Sequence, residues 1–137
     1  MPNKVRNFTW KACKDILATK MNLRKRHITS NDLCMSCNKA TETSGHMFWF
    51  CEKAKEVWNG SKMVFPFIIA ENWEFIDIVW NVIRYAPKEF GMLEKTVMIC
   101  WEIWKNRNVV RHGGAGKKGY QVLKMALNQV EEYWAAQ

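Results

Sequence analysis

A chain of 137 residues, 48% hydrophobic and 25% charged, has the mixture of a folded protein and the length for one buried core, which excludes a disordered tail and leaves no room for a second full domain. No stretch reaches the roughly 18 uninterrupted apolar residues of a membrane span, and the opening Met1-Pro2-Asn3-Lys4 lacks the apolar run of a secretory leader, so an intracellular protein, nuclear or cytoplasmic and not secreted, is expected. The net charge of +8 sits at the two ends: residues 1–30 hold eight Lys and Arg against one Asp, residues 31–70 balance, residues 71–104 sum to −3 and residues 105–137 to +4. Basic ends suit an anionic polymer such as RNA or DNA, or serve only to keep the surface solvated.

Helical periodicity dominates from the start of the chain. Val5, Phe8, Ala12 and Ile16 recur at spacings of three and four and predict a first helix, with Trp10 off its stripe. Thr19 is placed to cap a short second helix that carries Met21, Leu23 and the cluster Arg24, Lys25, Arg26. Residues 27–45 turn polar around two Cys and cannot bury a core alone. Helical character is expected again from His46 to Trp58, ended by Gly60. Pro66 breaks the apolar run Met63 to Ala70, which reads as a connector laid over the core. Asn72 is the expected cap of a helix to about Tyr85 with Phe75 or Ile76, Val79, Trp80 and Ile83 inward. A longer helix follows from Pro87 or Lys88 to about Val110 on the stripe Phe90, Leu93, Val97, Cys100, Trp101 and Trp104. After a flexible turn of Gly113, Gly114 and Gly116, Tyr120, Leu123, Leu127, Val130 and Trp134 give a final amphipathic helix.

Five Cys in a reducing compartment do not make a disulfide framework, and three of them bunch with a His as C-x2-C-x8-H-x4-C: Cys34, Cys37, His46 and Cys51. Two thiols two residues apart can turn to one ion at a tight knuckle, and the later pair completes a tetrahedron that suits zinc. Four protein ligands leave no open position for water, so one structural Zn2+ is expected, with Lys39, Lys53 and the amides of residues 36–39 available to offset the thiolate charge. Cys13 and Cys100 sit singly on apolar patterns and read as buried thiols. The fold expected is mainly α: a small helical domain with a zinc-knuckle loop inserted between helices over residues 1–62, and a helical C-terminal extension, 63–137, packed on it as one unit.

The run Val5-Arg6-Asn7-Phe8-Thr9-Trp10-Lys11-Ala12, then Ile16 to Lys20, Leu33-Cys34-Met35-Ser36-Cys37, Glu42-Thr43, Gly45-His46 and Cys51 to Trp58, resembles the zinc-binding domain of plant non-LTR retrotransposon reverse transcriptases over about residues 2–60. Trp101-Glu102-Ile103-Trp104-Lys105-Asn106-Arg107-Asn108 looks like the helical segment that joins such a domain to a ribonuclease H domain. The resemblance implies the same four zinc ligands, a plant host and nucleic-acid binding in support of reverse transcription. A Tyr-x-Asp-Asp carboxylate pair is missing from the sequence, so a stand-alone, domesticated or truncated fragment without polymerase or ribonuclease H chemistry is expected. His27 and His112 stand at no recognised nucleophile spacing, and Gly113 to Lys118 lacks the order of a phosphate loop. For RNA or DNA, Lys4, Arg6, Lys11, Lys14, Arg24, Lys25 and Arg26 can neutralise phosphates, and Phe48 or Trp49 could stack on a base or pack in the core. The alternative function is a protein partner's docking module or a homodimer, since eight Trp are many for a small domain to hide.

Overall fold

The computed structural model describes residues 1–88 and 91–137. Its elements are α1 (Asn3–Cys13), α2 (Lys20–Lys25), a π-helical turn (His46–Phe50), α3 (Glu52–Ser61), α4 (Phe75–Tyr85), α5 (Met92–Arg111) and α6 (Gly119–Ala135), with no strand among the described residues. The chain is thus mainly helical, and the Cys/His cluster lies between α2 and α3.

In α1, Val5, Phe8 and Ala12 are buried as their spacing requires, but the helix stops where Asp15 takes φ 54°, and Ile16 leaves the stripe for the surface while Leu17 enters the core. Thr19 caps α2, its hydroxyl accepting the Asn22 N–H at 3.2 Å. Buried Asn22 in turn donates its amide to the carbonyls of Asp15 (2.9 Å) and Leu17 (2.8 Å), fixing α2 against the end of α1.

The expected helix from His46 to Trp58 is two pieces. Cys51 is extended (φ −63°, ψ 140°) and separates the π-helical turn from α3. Gly60 does not end α3; Lys62 does, in the left-handed conformation with φ 57°. Gly60 instead lets α6 approach, since a Cβ there would stand 3.4 Å from Leu123. Residues 62–69 then run without helix, with Met63, Phe65, Phe67 and Ile69 turned inward and Val64 and Ile68 outward, the alternation of an extended strap over the core.

Helix α4 begins at Phe75 and not at Trp73, and its N-cap is Glu74 and not Asn72, with the Asp77 carboxylate accepting the Glu74 N–H (2.8 Å) in a capping box. Its inner face is rotated from the expected one: Phe75, Ile78, Val79 and Val82 are buried, while Ile76, Trp80 and Ile83 are about half exposed. Helix α5 is central, packing against α1, α4, α6 and the π-helical turn, and so buries Val97, Met98, Ile99, Cys100 and Ile103 around most of its circumference. Phe90, expected on its stripe, lies outside the described residues. On α6 the buried line is Val122, Ala126 and Val130, with Tyr120 exposed, a shift of one position from the expected stripe at its N-terminal half.

Three phenylalanines mark the centre of the core. Phe8 of α1, Phe48 of the π-helical turn and Phe75 of α4 meet pairwise at ring centroids of 5.9, 6.0 and 5.2 Å, and Phe8 also meets Trp101 of α5 at 5.2 Å. Burial contributes about 1.5–3 kcal/mol for each large side chain, so the elements around the metal loop and the C-terminal helices are held by one shared core.

Candidate metal centre

A small hairpin presents the first two ligands. Leu33 and Thr41 pair as an antiparallel bridge, the Cys34 N–H donates to the Ala40 carbonyl (2.8 Å), and the Glu42 N–H donates to Asp32 (2.8 Å). Within it the Asn38 N–H donates to the Cys34 carbonyl (2.9 Å), and Asn38 takes φ 56°, a left-handed turn that Asn tolerates better than most residues. Cys34 and Cys37 therefore face one point from opposite arms of the knuckle.

The π-helical turn explains the four-residue gap between the second pair. In an α-helix, residues five apart diverge by about 140°. Here the Cys51 N–H donates to the His46 carbonyl (2.8 Å), a bond from i+5 to i that widens the turn and brings both side chains to one side. The break at Cys51 takes the Phe48 carbonyl out of any helical ladder, and the Trp58 indole N–H satisfies it at 2.6 Å. The Thr43 hydroxyl accepts the His46 N–H (3.1 Å), and Ser44 bridges to α4 by accepting the Phe75 N–H (3.0 Å) and donating to the Glu74 carboxylate. Gly45 lies so close to the turn before α4 that a Cβ would stand 2.0 Å from the Trp73 carbonyl oxygen.

The ligand atoms of Cys34, Cys37, His46 and Cys51 all lie within 4.8 Å of one another. Cys34 Sγ is 3.9 Å from Cys51 Sγ, and Cys37 Sγ is 3.4 Å from His46 Nε2. Bonds of about 2.3 Å to sulfur and 2.0 Å to nitrogen give tetrahedron edges of about 3.8 and 3.5 Å. The set fits zinc, and the sulfurs are far beyond the roughly 2.05 Å of a disulfide. The hydrogen bond from Cys51 holds the Cys34 thiol well below the ordinary thiol range, helped by His46 and by the amides of Cys37 and Ser36 and opposed by burial. The same bond, with burial, pushes Cys51 up, against the Lys53 amide. A dication held here would keep these sulfurs as thiolates and would draw on the same amides to offset the remaining negative charge. Of the expected helpers, Lys53 acts through its backbone, and Lys39 turns its ammonium to Glu52 at 2.8 Å on the surface. Zinc held by these four residues would cross-link the polar loop. Cys13 and Cys100 stand apart from the site, both with thiols pushed up by burial, Cys100 well above the usual range.

Residues 1–58 match the family model for zinc-binding in reverse transcriptase. This segment is similar to that zinc-binding family. No curated protein and no solved structure matches the chain. The rest of the chain, beyond the segment matched, is tied to the zinc-binding segment by a pair of charges. Arg107 of α5 and Glu42 of the metal loop are both buried and form an ion pair. Glu42 also accepts the Lys20 N–H (2.8 Å), and Arg107 reaches the Ala18 carbonyl (3.1 Å) and Asn108 (2.8 Å). Sequence reasoning missed this pair, whose members are 65 positions apart.

The basic residues of the zinc-binding segment, Lys4, Arg6, Lys11, Lys14, Arg24, Lys25 and Arg26, are all exposed. Arg24 is engaged by Asp32 at 3.2 Å. Arg26 donates to the Ile16 carbonyl (3.2 Å), which sets the end of α2 beside the end of α1. The exposed aromatic of this segment is not the one expected to stack. Phe48 is fully buried and Trp49, 5% exposed, stacks on Trp58 at 5.3 Å, so neither offers a face to a base. Trp10 is 56% exposed, four residues from Arg6 and four from Lys14, hence on one helical face with both. Its place off the apolar stripe was the signal in the sequence.

Proposed function

We propose that the chain is a zinc-stabilised, non-catalytic nucleic-acid-binding module derived from a retrotransposon reverse transcriptase, of the plant type its sequence resembles. The observation that carries this reading is the outer face of α1, where exposed Trp10 stands between Arg6 and Lys14 with Lys4 and Lys11 beside them. A row of cations around one aromatic ring is the arrangement that holds an unpaired strand, the ring taking a base and the cations its phosphates. Lys25 and Arg26 extend the row from the adjoining end of α2. The closed donor set supports a structural metal, and among the described residues no helix is long and apolar enough to cross a membrane.

The reading is tested by the affinity of the zinc-loaded chain for single-stranded and duplex RNA and DNA across a salt series. Changing Arg24, Lys25 and Arg26 to Ala should flatten the log–log salt slope by about 2 for a single strand. Trp10→Ala should weaken single-strand binding by about 1–3 kcal/mol with the salt slope unchanged. Salt-independent retention, or affinities that neither change alters, would exclude this function. A protein-docking role is favoured by a different surface, the half-exposed Ile76, Trp80 and Ile83 of α4.

A further inference from the structure

Helix α4 carries two apolar faces. The inner one is filled by the core, and the outer one leaves Ile76 49%, Trp80 58% and Ile83 48% exposed on a single line at spacings of four and three. Three large side chains in a row form an apolar patch of the kind that marks an interface, and a lone exposed hydrophobe does not. The charge around it selects the class of occupant. In a chain of net charge +8, residues 71–104 sum to −3, with Glu71, Glu74 and Asp77 at the start of this helix. A nucleic acid is repelled by that end of the face, so the occupant is a protein.

The order of residues along the helix points further, to a second copy of this chain. Asp77 stands three positions before Trp80, and Arg84 four positions after it. When two such helices cross antiparallel near Trp80 and Asn81, each Asp77 comes opposite Arg84 of the other copy, and the two Trp80 rings meet close to the two-fold axis. An isologous interface needs this self-complementarity, in which residue i meets j and j meets i. A foreign partner would need only the apolar line; the opposite charges at matching distance are what a copy supplies. Asp77 keeps one carboxylate oxygen on the Glu74 N–H (2.8 Å), so its other oxygen can face the partner without loss of the cap.

We propose that α4 is the dimerisation face of this protein, pairing antiparallel with α4 of a second copy through Ile76, Trp80 and Ile83 and flanked by Asp77–Arg84 ion pairs. This is independent of the nucleic-acid reading, whose face lies on α1. Sedimentation equilibrium of the zinc-loaded chain from low to high micromolar concentration tests it. The expected result is a monomer–dimer equilibrium in which Trp80→Glu raises the dissociation constant about thirtyfold or more. Arg84→Glu sets like charges against Asp77 and should raise it about tenfold. Tyr120→Glu, an equal change at an exposed aromatic of α6, should leave it unaltered, and helical circular dichroism with unchanged zinc content shows that each variant is folded. A monomer at every concentration overturns the proposal, whatever else the face binds. So does a dimer that survives Trp80→Glu, or one that Trp80→Glu breaks and Arg84→Glu leaves untouched.

Discussion

A buried guanidinium and a buried carboxylate, 65 positions apart, meet at Arg107 and Glu42. Removing a charge pair from water is expensive, and the pair is tolerable because every side of it is satisfied: Glu42 takes the Lys20 N–H, and Arg107 gives to Ala18 and Asn108 and lies over the Trp104 ring at 5.1 Å. Loss of one partner strands the other. Arg107→Ala should therefore destabilise the chain by about 3–5 kcal/mol in urea unfolding, whereas Glu42→Leu combined with Arg107→Met should recover most of that loss. A single variant within about 1 kcal/mol of the parent would show that the pair does not join the metal loop to α5. Nothing local in the sequence marks either residue as buried, because Glu and Arg are ordinarily exposed and their meeting depends on the finished fold.

The metal ligands were legible at the scale of the element, since the chemistry of coordination is written in residue type and spacing. The wide turn that makes His-x4-Cys work was not legible, because His46 to Phe50 is also a good apolar run for an α-helix. Inserting one Ala between Phe50 and Cys51 should rotate the last thiolate away and lower zinc affinity by more than the roughly 10- to 100-fold caused by losing an outer hydrogen bond. Competition against a chelator measures it, and an unchanged affinity would mean that the widened turn does not aim Cys51. The phase of α4 failed for a related reason. Phe75, Ile78, Val79 and Val82 form one apolar line and Ile76, Trp80 and Ile83 another, so periodicity cannot choose between them. The choice is made by Phe8 and Phe48, which Phe75 meets at 6.0 and 5.2 Å. Aromatic residues were similarly exchangeable on paper: Trp49 packs on Trp58, and it is Trp10 that faces water.

For the whole molecule, the helical class and the place of the metal loop followed from pattern, while the way the two segments lock together did not. We propose that residues 1–62 and 63–137 fold as one unit. Their shared core of Phe8, Phe48, Phe75 and Trp101 and the Glu42–Arg107 pair support it. Zinc then stabilises more than its own loop, because a knuckle that opens releases Glu42 from α5 and Ser44 from α4. The most direct test is the metal content of the purified chain measured beside its thermal unfolding, for the parent and for Cys37→Ser. The parent should hold about one zinc per chain and unfold in a single transition, and Cys37→Ser should lose the zinc and melt at a lower temperature. A parent that folds without zinc, or a Cys37→Ser chain that melts where the parent does, would contradict a fold built on this metal.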